Sequence, residues 1–304
     1  MKSYSVLVKR IALRVTPFVT TWVLASAPGL AATLAGSYGE LFFTDFSQQE
    51  TSALEAVNDA DGFAESRTDD SVADFDNFSS TIAEPSPLNV SNVAESLVFG
   101  NGPSYTASAT TSPRYFANFD VSRNDTLSFN FTAFLDLNAS VDQPGVEYAS
   151  AAGDISFYLL DTTGTSADQR LNFLNSPQFD PTQIGQNNVL DSFMLAASID
   201  ATGQNNFINN TSSGNITFNS NSGLSSFGPI DGGNGSEAYK SSSVEGSVSR
   251  SFKKDSNITL LAFKNTKSNV EVPEPENVLG SVLFAGLLVV AMRARKKAQN
   301  KSSS

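Results

Sequence analysis

Thr126-Leu-Ser-Phe-Asn-Phe-Thr-Ala-Phe-Leu-Asp-Leu137 alternates apolar and polar side chains almost without interruption. Leu127, Phe129, Phe131, Ala133, Leu135 and Leu137 fall on one side, and Ser128, Asn130, Thr132 and Asp136 on the other. Only Phe134 is out of step. Successive side chains of a strand point to opposite faces, so this period of two predicts a strand with one face in a core and one in water.

Working outward, the same texture recurs in shorter runs at Glu40–Phe46, Ser96–Phe99, Arg114–Val121, Asp154–Leu160, Asn215–Asn219, Val244–Phe252 and Asn257–Phe263. Turn-forming clusters separate them, among them Gly100-Asn-Gly102, Thr162-Thr-Gly164, Thr202-Gly203 and Asp231–Gly235. Together these runs predict a mainly β chain, an antiparallel β-sandwich of jelly-roll type. The 23 Phe residues supply the bulk to fill the space between two sheets about 10 Å apart. One helix is expected where Ser47-Gln-Gln-Glu50 reads as a capping box ahead of Ala53, Leu54, Ala56 and Val57, with Gly62 as its stop. Asn187–Ser198 fits a strand or a helix equally well. The Ser/Asn-rich stretches Asn205–Ser226 and Asp231–Ser243 read as surface loops or weakly ordered hairpins. No internal repeat is visible, and the middle reads as one domain, with a split near Gly164–Gln186 as the alternative.

Composition removes several chemistries. The chain of 304 residues has no Cys and no His, which excludes disulfides, a thiol nucleophile, a Ser-His-Asp triad and imidazole metal ligands. Nine of its 19 basic residues lie at the two ends, whereas all 31 acidic residues lie between Glu40 and Glu276. So acidic a middle does not bind nucleic acid by neutralising phosphates.

The two ends have their own patterns. Lys2, Lys9, Arg10 and Arg14 precede an apolar run from Val15 to Leu24, after which small residues accumulate through Ala25, Ala27, Ala31, Ala32 and Ala35. This is the layout of a secretory signal over residues 1–35. Pro28 obstructs cleavage after Ala27, so processing is expected nearer Ala32 or Ala35. At the other end, Val272-Pro273-Glu274-Pro275-Glu276 leads into the uncharged run Val278–Met292, and then Arg293, Arg295, Lys296 and Lys297. At about 1.5 Å per residue the run is about 22 Å long as a helix, short of a hydrocarbon core of roughly 30 Å. Snorkelling of Arg293 and Arg295 and local thinning close that gap, and the basic tail stays on the cytoplasmic side.

Pro273-Glu274-Pro275, the helix at 277–292 and the basic cluster, paired with an N-terminal leader, resemble the PEP-CTERM sorting domain of bacterial surface proteins. The resemblance covers residues 272–304. It implies an inner-membrane intermediate handled by signal peptidase and the secretion machinery, then processing by an exosortase near the Pro-Glu-Pro. It also implies a final place at the cell surface or in an extracellular matrix rich in exopolysaccharide. The tail departs from the family pattern by running on from Ala298 to Ser304. For the sandwich at 36–271 a non-enzymatic role is expected, with a glycan-binding module or a polysaccharide hydrolase as alternatives.

Two candidate sites stand out in the middle. Asp59 and Asp61, followed by further Asp residues, are candidate oxygen ligands for Ca2+, although the spacing fails as an EF-hand. The competing and simpler reading is an acidic solvated loop extended by self-repulsion. Otherwise no cofactor is expected. Tyr105 and Tyr115 flank a Ser/Thr-rich turn and are the candidate sugar platform, the sole Trp, Trp22, falling in the leader. The alternative for both is a core role with a wet hydroxyl. No paired carboxylates, catalytic residues or phosphate loop can be picked out.

Overall fold

The computed structural model describes residues 32–51, 55–85, 88–165, 188–203, 206–220, 223–232 and 235–273. The leader up to Ala31, and Glu274, Pro275, Glu276, the 277–292 span and the basic cluster, lie outside the described residues. Within them no helix is long and apolar enough to cross a membrane.

The chain forms β1 (Ala32–Thr44), β2 (Glu55–Val57), β3 (Ala60–Ser66), β4 (Val72–Pro85), β5 (Leu88–Asn101), β6 (Tyr105–Thr111), β7 (Arg114–Val121) and β8 (Thr126–Val141). There follow β9 (Tyr148–Asp161), β10 (Val189–Asp200), β11 (Phe207–Ser212), β12 (Ile216–Phe218), β13 (Gly223–Gly232), β14 (Gly235–Ser251) and β15 (Ser256–Val272). They assemble into two antiparallel sheets. The first runs β12-β14-β8-β1-β5-β4, with β13 also on β14; the second runs β11-β10-β9-β15-β6-β3, with β7 pairing β15 and β2.

The two sheets pack face to face, β1 over β9 and β15 and β8 over β9 and β10. The alternation in β8 explains why. Leu127, Phe129, Phe131, Ala133, Leu135 and Leu137 are all buried, and their polar neighbours face away. At the centre Phe43 meets Tyr115, Phe129 and Phe157 edge to face, with ring centroids 5.4 to 5.8 Å apart. Burying one such ring stabilises the fold by about 1.5–3 kcal/mol, so the cluster outweighs any single polar contact.

Two buried polar side chains tie the sheets together. Asp191 on β10 is fully buried and accepts hydrogen bonds from Ser213 Oγ and Asn215 Nδ2, both at 2.9 Å, and from Arg250 of β14 at 3.1 Å. A carboxylate this deep persists because its lone pairs are met. Lys264 on β15 is also fully buried, and its Nζ donates to the carbonyls of Gly39 on β1, at 2.9 Å, and of Asn92 on β5. Burial holds this amine well below the usual lysine range.

Three sequence expectations change. The helix after Ser47 is absent among the described residues: Ser47 instead bonds the start of β8 through its N–H and hydroxyl, and Glu55–Val57 and Ala60–Ser66 are strands. Asn187–Ser198 resolves as strand, since β10 pairs β9 from Val189 to Asp200. Of the two readings of Asp231–Ser243, loop or weakly ordered hairpin, it is the hairpin that forms: β13 and β14 pair antiparallel, and β14 also pairs β8 from Ser236↔Val141 to Ser251↔Thr126. Small Ser side chains fit a sheet face where close neighbours already exclude water, so polarity alone did not mark a loop. β9 and β10 lie on either side of Gly164–Gln186 and pair directly, so the chain is not divided there.

Both ends of the sandwich emerge together. Ala32 pairs with Asn101, and a short turn with Gly102 at φ 114° leads to Tyr105, which pairs with Val272. Val272 is buried, and Pro273 is the first residue beyond the sheet.

Candidate functional site

The candidate platform of Tyr105 and Tyr115 is not on the surface. Tyr105 and Tyr115 are 0% and 1% exposed, inward-facing members of the core. A sugar ring needs an open aromatic face, so neither residue can supply one. The cause is strand parity: Tyr105 alternates in step with buried Ala107 and Ala109, and Tyr115 with buried Ala117 and Phe119.

The candidate calcium residues are exposed and point to other partners. Asp59 Oδ2 lies 3.7 Å from Arg114 Nη2, and Asp61 Oδ1 accepts the Gly62 N–H at 2.9 Å. No group of three acidic side chains is gathered as a metal site among the described residues.

The richest concentration of polar chemistry is elsewhere, on the outer face of the first sheet. Register aligns Asp136 of β8, Tyr38 of β1, Glu95 of β5 and Phe78 of β4 in one row across four strands. The neighbouring row on one side holds Phe134, Glu40 and Val93; on the other it holds Tyr239, Asn138, Gly36 and Leu97. These residues alternate with the core residues of the same strands and so face outward. At Gly36 an added Cβ would press on Leu97.

The contacts are specific. The Tyr38 hydroxyl donates to Glu40 Oε2 at 3.2 Å, and its ring meets Phe134 edge to face at 6.0 Å. Tyr239 shares its hydroxyl proton with Asp136. Asp136 Oδ1 and Asn138 Oδ1 are enclosed without a hydrogen-bond partner. Burial raises the pKa of Asp136 above the usual carboxylate range, against the Tyr239 hydrogen bond. Burial, then the charge of Asp76, does the same for Glu95. Tyr38 is raised by burial first, then by Glu40, Glu95 and Asp136 around it.

This face therefore combines half-buried aromatic rings with carboxyl groups whose pKa burial raises above the usual carboxylate range. Carboxyl oxygens can bond sugar hydroxyls, and an aromatic ring can stack on the C–H face of a sugar. Sequence reasoning missed the site although one signal was available. Phe134, the single break in the alternation of β8, is the ring packed against Tyr38.

No protein-family model matches the chain, and no curated protein or solved structure is similar to it.

Proposed function

We propose that the chain is an exported surface protein whose jelly-roll-like sandwich binds a neutral, hydroxyl-rich polysaccharide on the Tyr38 face. Support for the jelly-roll reading comes from repeated crossing between sheets, at β3 to β4, β5 to β6, β7 to β8 and β14 to β15. The observation that carries the binding reading is the row Asp136–Tyr38–Glu95, which sets two carboxyl groups on either side of a half-buried aromatic ring on the outer sheet face. Anionic polysaccharides are disfavoured, because this face gathers Glu40, Glu95, Asp136 and Asp76 with no basic residue aligned in these rows.

Export and sorting belong to the same proposal. The leader, the Pro-Glu-Pro segment, the 277–292 span and the basic tail support release at the envelope by an exosortase-type enzyme. The end of β15 at Val272 favours this reading, because the sandwich ends where the motif begins at Pro273.

Affinity electrophoresis through gels containing neutral glucans and galactans tests the binding. Retardation lost on Tyr38→Ala and on Glu95→Gln, with the unfolding midpoint little changed, is the expected result. Equal retardation of all three proteins removes the site. Release of reducing ends from the same polysaccharides would instead make the face that of a hydrolase. For sorting, mass spectrometry of the protein from its host should find a C-terminus near Pro273–Glu276; a chain reaching Ser304 leaves a plain anchor.

A further inference from the structure

A second cluster of unmet polar groups lies at the end of the sandwich where the chain enters. The Ala32 N–H donates to Asp142 Oδ2 at 3.2 Å. Just beyond, Glu147 is only 4% exposed; its Oε2 accepts the N–H groups of Asp142 and Gln143 at 2.8 and 3.1 Å. Its other oxygen, Oε1, is buried without a partner, as are Tyr105 Oη and Thr33 Oγ1. Thr33 and Tyr105 are themselves 1% and 0% exposed. No ion pair joins Asp142 or Glu147 to a cation among the described residues. A buried carboxyl oxygen of Glu147 with no donor, beside a second carboxyl group and no cation, is costly.

We infer that the leader is removed between Ala31 and Ala32, and that the α-ammonium group so formed is the missing cation, seated on Asp142 beside Glu147. This inference rests on the export reading above. Hydrolysis of the Ala31–Ala32 amide by water leaves a carboxylate on the leader and an amine on Ala32, which takes up a proton. One neutral N–H at this point becomes a positive charge with three donors.

The local sequence agrees. Gly29 and Ala31 place small residues three and one positions before the cut, the pattern of leader cleavage. Cutting after Ala35 would remove Ala32 to Ala35 from β1, and with them the buried Thr33 and Ala35 and their pairing to β5 and β8. Cutting after Ala27 places Pro28 directly after the scissile bond. Only the cut at Ala32 keeps all of β1 and frees an amine within hydrogen-bond reach of a carboxylate. The seat therefore rewards folding only once the leader is gone, which suits a chain that must cross a membrane unfolded.

Asp142 just past β8 accepts from the Ala32 nitrogen, Glu147 of the β8–β9 turn bonds the Asp142 backbone, and Tyr105 of β6 lies within the field of both carboxyl groups; across the sheet β5 pairs Asn101 with Ala32, and β4 pairs Val72 with Asn101, both uncharged. Burial is the first cause of the raised Tyr105 pKa, with Glu147 and then Asp142 adding to it. The carboxylates hold the ammonium above its unfolded pKa of about 7.7–8.0. Its contribution is fully present below that pH and is lost as pH rises through the folded value.

The full-length chain, with its own leader, should be expressed in an exporting Gram-negative host and the product sequenced from its N-terminus. Ala32-Thr33-Leu34 is expected. A start at Gly36 or Pro28 overturns the seat and leaves export standing, whereas an intact Met1 overturns export itself. Thermal unfolding of the processed protein between pH 7 and 9.5 then tests the ion pair. Asp142→Asn should lower the midpoint at pH 7 by about 2–4 °C, with the difference from wild type shrinking toward pH 9.5. Glu147→Gln should act in the same sense and serves if Asp142→Asn does not fold. A difference that stays constant over this range for both variants rules out an ammonium seat.

Discussion

Tyr115 and Tyr38 are both strand tyrosines of the same chain, and their surroundings are opposite. Tyr115 is sealed among Phe43 and its neighbours with a hydroxyl that has no partner. Tyr38 lies on the outer face of the first sheet, with its hydroxyl on Glu40 and carboxyl groups on three sides. The first ring serves cohesion, and its hydroxyl is incidental. For the second, half-buried on the outer face, the proposed role rests on the hydroxyl and its carboxyl neighbours. Parity along the strand, not residue type, separates the two roles.

Substitutions can break this contrast. Phe43→Ala, at the heart of the aromatic cluster, should cost about 3–5 kcal/mol in denaturant unfolding, the largest effect expected here. A loss below about 1 kcal/mol would mean that the core is not centred on these rings. On the outer face, Tyr38→Ala should weaken polysaccharide binding about tenfold, equivalent to about 1.4 kcal/mol, while stability moves by less than Phe43→Ala moves it. If stability falls as far as in Phe43→Ala, Tyr38 is a structural residue and the contrast fails.

The strand content was legible because β8 and β7 obey the period of two within a few residues, and burial then follows from parity. The second half of β14, from Val244, was legible as a strand, but its Ser-rich first half was not. The inward positions of that first half include Ser242 and Lys240, so no apolar stripe marks the core side. The helix after Ser47 was misread because a capping box is a local pattern, and here long-range bonds to β8 won. Neither the Tyr38 row nor the seat around Ala32 is local in sequence. Tyr38, Glu95 and Asp136 meet only through β1–β5 and β1–β8 register, which no single-chain pattern supplies. Tyr105 and Tyr115 looked exposed because their Ser/Thr-rich surroundings resembled a turn, although both start inward-facing strands.

A gentler change sharpens the role of the core tyrosine. Tyr115→Phe removes a hydroxyl that burial keeps protonated and that has no hydrogen-bond partner. Losing an unmet buried polar group should raise stability by about 1 kcal/mol, read as a higher denaturant midpoint. Tyr38→Phe, which breaks a formed bond to Glu40, should not raise it.

The smallest expected effect is a pH dependence that the outer face imposes. Glu95 and Asp136 are both raised by burial, so the folded state holds their protons more tightly than the unfolded chain does. For an acid of this kind, the folded form binds more protons between its unfolded pKa, about 4, and its raised folded value. Stability from these groups therefore increases as pH falls from 7 through the folded values, and levels off near the unfolded ones. Most proteins lose stability over this interval, because their carboxylates are paired in the folded state. The unfolding midpoint should thus climb modestly between pH 7 and about 4.5, and Glu95→Gln and Asp136→Asn should each flatten the climb. Asp154 is raised by burial as well, so part of the rise should survive in the double variant. A midpoint that falls steadily on acidification, equally in wild type and variants, would show that the outer row is solvated like ordinary surface and would remove the distinction from an indifferent sheet face.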